Sequence, residues 1–234
     1  MLPQIATPKY DMIVPSTGES ITYRPYLVKE EKILLIALES QDPESVETAV
    51  LDIIKACIES PIDIKKLTTF DVEFIFVTLR SKSVGEGIKI NPPCEHCEAP
   101  NEVKINLDDV KVANLEEEVD KHFKLTDDIS IDLKWNTMDD RLDPGEKTSE
   151  TDTIINMVAH SIETIYSGET IYAAKDVSKK ELQTFVESLN SDQFTEIVNI
   201  LGKAPYLSYD IKFDCKECKK ENVIELRGLT DFFQ

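Results

Sequence analysis

The chain has 234 residues, 45 acidic against 26 basic, giving a formal net charge of −19 with 41% hydrophobic and 30% charged side chains. That length supports one large domain or two small ones around a sizeable core, while the acidic excess repels a phosphate backbone rather than releasing its counterions. No run of about 18 apolar residues occurs, which excludes a transmembrane helix, and 7 glycines argue against a repeat-rich β solenoid or a phosphate-cradling loop.

Tyr10-Asp11-Met12-Ile13-Val14-Pro15 and Ile21-Thr22-Tyr23-Arg24-Pro25 alternate on either side of a turn containing Gly18, which predicts a short β-hairpin. From Val28 the composition favours a helix ending near Ser40. Asp42-Pro43 then reads as an N-cap followed by proline at the first helical position, with Val46, Val50, Ile53, Ile54 and Cys57 on one face. A third helix is predicted from about Thr69 to Leu79.

Two CxxC pairs come next, one in the middle of the chain and one near its end. Cys94 and Cys97 lie between Gly87-Ile88-Lys89-Ile90 and Asn101-Glu102-Val103-Lys104-Ile105, and Cys215 and Cys218 lie between Tyr209-Asp210-Ile211-Lys212-Phe213 and Asn222-Val223-Ile224-Glu225-Leu226. Each reads as strand, knuckle, strand. A turn with two residues between cysteines lets both thiolates face one ion about 2.3 Å away, and two turns complete a tetrahedral S₄ shell. One structural zinc per chain, on Cys94, Cys97, Cys215 and Cys218, is therefore expected; iron fits the same donors. Disulfides are the weaker reading, because the N-terminus shows no secretory leader and Cys57 would be left over. Cys57 itself sits in an apolar helical run and reads as a buried small hydrophobe, and His96 as an exposed loop residue. Four sulfurs leave no open position for water or substrate, so the ion is expected to hold the fold and do no chemistry.

Between the pairs, residues 108–149 read as an acidic strand and loop insert. Ile129-Ser130-Ile131-Asp132-Leu133-Lys134-Trp135 alternates as a half-buried strand, and 139–148 is polar and turn-rich. Helices are predicted at Glu150–Thr164, with Ile154, Ile155, Val158 and Ile162 on one face, and at Lys179–Ser188 and Asp192–Leu201. At an offset of 122, Leu67, Ile75 and Leu79 match Leu189, Ile197 and Leu201; at 121, both cysteine pairs and Asn101/Asn222 match. These matches predict an internal pseudo-duplication. The fold class expected is α+β: helices with short antiparallel β-hairpins, and two zinc-knuckle hairpins joined in one four-cysteine site. One domain over 1–234 is expected, with halves 1–107 and 150–234 around the insert.

Catalytic patterns are missing. His96, His122 and His160 have no local nucleophile or metal partner, there is no Walker loop or GxGxxG, and Asp139/Asp140 read as a solvated acidic pair. Trp135 and Phe232-Phe233 are contact residues, for a partner or for the chain's own core. Lys212, Lys216, Lys219 and Lys220 interleave with Glu217 and Glu221, which reads as a solvated surface rather than a nucleic-acid face. A zinc-ribbon nucleic-acid or regulatory module is the competing reading, and it lacks the basic face it needs.

Taken in order, Pro3-Gln4-Ile5-Ala6-Thr7-Pro8-Lys9-Tyr10, Ser16-Thr17-Gly18, Tyr23-Arg24-Pro25-Tyr26-Leu27-Val28-Lys29-Glu30-Glu31-Lys32, Phe70-Asp71-Val72-Glu73, Arg80-Ser81-Lys82-Ser83-Val84-Gly85-Glu86 and the two CxxC turns resemble the baseplate hub proteins of T-even-type contractile-tailed bacteriophages. That resemblance implies a non-catalytic structural subunit or assembly factor of the tail baseplate hub, with other hub proteins as partners; the acidic charge and the lack of a long apolar run leave neither nucleic acid nor membrane expected. It implies a location in the virion baseplate, or in the host cytoplasm during assembly. Only the four cysteines are carried over as metal ligands.

Overall fold

Capping chemistry sets where most of the helices begin. Asp42, Thr68, Ser149, Ser178 and Asn190 each accept a hydrogen bond from the backbone N–H three residues on, satisfying a donor the first helical turn leaves open. The computed structural model describes residues 6–140 and 149–232. The first half holds β1 (Tyr10–Ile13), β2 (Ser20–Tyr23), α1 (Val28–Ser40), α2 (Pro43–Cys57), α3 (Thr69–Val84), β3 (Gly87–Ile90), β4 (Val103–Asn106) and β5 (Lys111–Ala113). Then come β6 (His122–Lys124), β7 (Ile129–Leu133), α4 (Glu150–Ser161), β8 (Ile162–Ser167), β9 (Thr170–Ala173), α5 (Lys179–Glu187), α6 (Ser191–Leu201), β10 (Tyr206–Asp214) and β11 (Glu221–Arg227). This is the expected mixture of helices and small antiparallel sheets.

Contacts divide the chain into two compact units, residues 1–115 with 205–234, and residues 116–204. In the first unit β1 and β2 form the expected hairpin, with Tyr10 opposite Tyr23 and Gly18 in the left-handed region at φ 70°. Behind it the buried Asp71 carboxylate ties that turn to the start of α3. It accepts from the Ser16 N–H at 2.9 Å and hydroxyl at 2.6 Å, and from the Thr68 N–H at 2.9 Å and hydroxyl at 2.6 Å. On α2 the buried face is Ala49, Val50, Ile53, Ile54 and Cys57, while Val46 is only half-buried.

The third helix runs to Val84, five residues beyond the expected end, and buries Phe70, Val72, Ile75, Phe76, Val77, Leu79 and Ser81. A helix surrounded by protein has no polar stripe, so its apolar pattern carried no clear end point. β3 pairs with β4, and β10 pairs with both β11 and β5. Val77 of α3 packs with Ile88, Ile90, Ile105, Leu107, Leu207, Ile211, Leu226 and Phe232 in the core beneath these strands. Phe232 is thus a core residue of its own chain; Phe233 lies outside the described residues.

In the second unit β6, β7, β8 and β9 form a four-stranded antiparallel sheet in sequence order. Ile131, Leu133, Val158, Ile162, Leu182, Val186 and Ile197 form its core with α4, α5 and α6. One expectation changes here. The helix expected to reach Thr164 stops at Ser161, and Ile162 opens β8 opposite Leu133. The β-branched Ile162, Thr164 and Ile165 favour a pleated surface once a sheet edge is there to receive them. The expected half-buried strand is present as β7, and β8 pairs along its whole length. Of the polar loop, Met138–Asp140 form a 3₁₀ turn, and 141–148 lie outside the described residues.

Candidate metal centre

The two knuckles are built alike by the backbone. The Cys94 N–H donates to the Ala99 carbonyl at 2.9 Å and the Glu98 N–H to the Cys94 carbonyl at 2.8 Å; the corresponding bonds from Cys215 to Lys220 and from Lys219 to Cys215 are 2.9 and 3.0 Å. Glu98 and Lys219 both take the left-handed conformation, at φ 60° and 59°, which folds each chain back sharply enough to aim both cysteines the same way. β3 with β4, and β10 with β11, fix the roots of the two turns.

These roots bring all four sulfurs together inside the first unit. The Sγ atoms of Cys94, Cys97, Cys215 and Cys218 lie within 4.8 Å of one another. Across the knuckles, Cys94 and Cys218 are 3.7 Å apart and Cys97 and Cys215 3.6 Å. Both separations exceed the roughly 2.0 Å of a disulfide, and all four, with the buried Cys57, are free cysteines. A regular tetrahedron with metal–sulfur bonds of about 2.3 Å has edges of about 3.8 Å. The donor set and its spacing therefore fit a four-coordinate, thiolate-bound ion.

Burial and hydrogen bonding differ among the four. Cys94 and Cys215 are buried, Cys218 is half-buried and Cys97 is exposed. The backbone N–H of Cys218 does most to bring the Cys215 thiol down to about 6, against desolvation and with help from the Glu217 N–H and the Asn101 amide. In Cys97 the Ala99 N–H pulls the same way, but desolvation and the neighbouring sulfurs outweigh it and push that thiol up to about 12. Elsewhere, Cys57 is pushed up to about 11 by burial and reads as inert packing.

No histidine belongs to the four-cysteine cluster. His96 is exposed in its knuckle, and its backbone N–H lies 3.4 Å from the Cys94 sulfur. His160 is half-buried on α4, where desolvation lowers its pKa. His122 Nδ1 lies 2.7 Å from Asp132 Oδ1, and the Tyr166 hydroxyl donates to Asp132 Oδ2 at 2.6 Å. Pattern reading missed this cluster because only the register that sets His122 opposite Asp132 assembles it. Asp140 is held by Lys134 Nζ at 2.6 Å and by the Thr137 N–H and hydroxyl, so it closes a turn. Trp135 carries Lys121 Nζ 5.1 Å above its ring.

The sequence profile of the T4 bacteriophage base plate protein matches residues 7–234. The chain belongs to this base plate family. Among its relatives is the Baseplate hub assembly protein gp26 of Enterobacteria phage T4, 27% identical over 227 residues and aligned over 97% of each chain. No solved structure matches this base plate protein. Among its described residues, no helix is long and apolar enough to cross a membrane.

Proposed function

We propose that this base plate protein is a non-catalytic component or assembly factor of the tail hub, acting through protein–protein contacts on a scaffold stapled by one zinc ion. The four sulfurs gathered within 4.8 Å of one another carry the structural part of the reading, and the relative named for hub assembly supports the biological part. Cys94, Cys97, Cys215 and Cys218 hold the ion. Bound there, zinc contributes folding free energy and no reaction, because the shell is complete without water.

The contact surface is best sought on α1. Leu34 and Ala37 face the core, yet Val28, Leu35 and Ile36 on the other side are 79%, 53% and 57% exposed. A helix apolar on both sides is normally covered. A second copy would bring its own charge of −19 against this one, which favours a different, less acidic baseplate protein as the occupant. Capture from infected cells tests this: the wild-type chain should bring down hub proteins, and Leu35→Ser/Ile36→Ser should lose them while keeping its zinc. Recovery of no baseplate protein by the wild-type chain would overturn the assignment. Presence in finished particles marks a resident subunit, and absence from them an assembly factor.

A further inference from the structure

Asn101 and Asn222 stand at the same offset of 121 as the cysteine pairs, and each is 1% exposed. Their amides are used in one scheme. Asn101 Nδ2 donates to the Ala99 carbonyl of its own knuckle at 2.8 Å, and its Oδ1 accepts the Lys216 N–H of the other knuckle at 2.8 Å. Asn222 Nδ2 donates to its own Lys220 carbonyl at 2.9 Å, and its Oδ1 accepts the Glu95 N–H across the centre at 2.9 Å. Asn101 Nδ2 also lies 3.7 Å from the Cys215 sulfur.

We propose that Asn101 and Asn222 are positioning residues that brace the two knuckles reciprocally and hold the four sulfurs at ligand spacing. The proposal rests on the metal reading above and goes beyond it by naming what aligns the two halves of the shell. The backbone bonds described for each turn are internal to that turn and fix no relation between knuckles. The crossed bonds do, and they land on Glu95 and Lys216, each directly after the first cysteine of its pair, so a shift of one knuckle by a bond length breaks both. An asparagine is suited to this because one amide supplies an acceptor for the far knuckle and a donor for the near one. The side chains of Glu95 and Lys216 are exposed, and their amides are shielded from solvent exchange by these two oxygens. Partners of this outer kind orient ligands, and removing one commonly costs 10–100-fold in metal affinity.

Amide exchange followed by NMR on the full chain as purified, with zinc release to a chromophoric chelator, tests the brace. Asn222→Ala should speed exchange at Glu95, and Asn101→Ala at Lys216, each change appearing in the knuckle that was not altered. Both variants should release zinc about 10–100-fold faster than wild type. Asn222→Asp and Asn101→Asp keep the acceptor oxygen and should keep the crossed protection; they carry the test if the alanine variants fail to fold. Exchange changes confined to the altered knuckle, or zinc release within about twofold of wild type, would overturn the proposal. A wild-type chain without zinc would remove the metal reading, and the crossed exchange pattern would still decide the brace.

Discussion

Asp71 shows how a single buried side chain joins distant parts of this molecule. Its carboxylate caps α3 through Thr68 and at the same time receives Ser16 from the β1–β2 turn. Asp71→Ala leaves the buried Thr68 N–H and hydroxyl without their acceptor and frees the Ser16 turn, and should cost about 3 kcal/mol in urea unfolding, whereas Ser178→Ala, at an exposed cap, should cost about 1 kcal/mol. Glu73 is the opposite case. Burial raises its pKa against a single bond from the Leu229 N–H at 3.1 Å. A raised folded value stabilises the fold while the carboxyl is protonated, below its unfolded pKa, and that contribution is lost as pH rises through the folded value. Glu73→Gln keeps an acceptor for Leu229 without the charge. It should therefore be more stable than wild type at about pH 7, with the difference disappearing below about pH 4; a stability gap independent of pH would contradict this. Among the cysteines, Cys57→Ala should keep its zinc and lose about 1 kcal/mol of packing, while Cys94→Ser should lose both the ion and the order of the knuckles.

Gly228 links the last strand to the C-terminal 3₁₀ turn, at φ 65°, and a Cβ there would stand 3.2 Å from Glu73 Oε1. Gly228→Ala combines a left-handed backbone with that crowding and should destabilise by about 1–2 kcal/mol, measured by thermal unfolding. Surroundings decide how legible each element is. The hairpin at Gly18, the cap at Asp42 and the strands flanking both knuckles have their determinants within a few residues, and they were readable. α3 is enclosed by protein, so periodicity could not locate its end at Val84. α4 and β8 share a continuous apolar pattern through Val158 and Ile162, and the pairing of Ile162 with Leu133 is what converts the second of them to strand. The matched helices of the expected duplication fall in different units, with α3 packed under the knuckles and α6 in the other core. What recurs in space is the knuckle scheme and its asparagine.

At the scale of the whole molecule, the meeting of both cysteine pairs was expected from the sequence, and the four sulfurs do lie together; what the sequence did not show is that the unit holding them is left and re-entered by the chain. That depends on β5 pairing with β10, Ala113 opposite Tyr206, which sets the point where the chain leaves the first unit beside the point where it returns. The 117 residues between the cysteine pairs thus include the whole second unit, and the proposed ion closes the first one on either side of that excursion. Removing zinc with a chelator should accelerate hydrogen exchange in β3, β4, β10 and β11 while leaving β6 to β9 close to their original rates; uniform loss of protection would contradict a staple local to the first unit. The most direct measurement is elemental analysis of the purified chain together with Cys215→Ser. About one zinc per wild-type chain and none in the variant are expected. A wild-type chain that is folded, metal-free and carries four titratable thiols at this centre would contradict the staple.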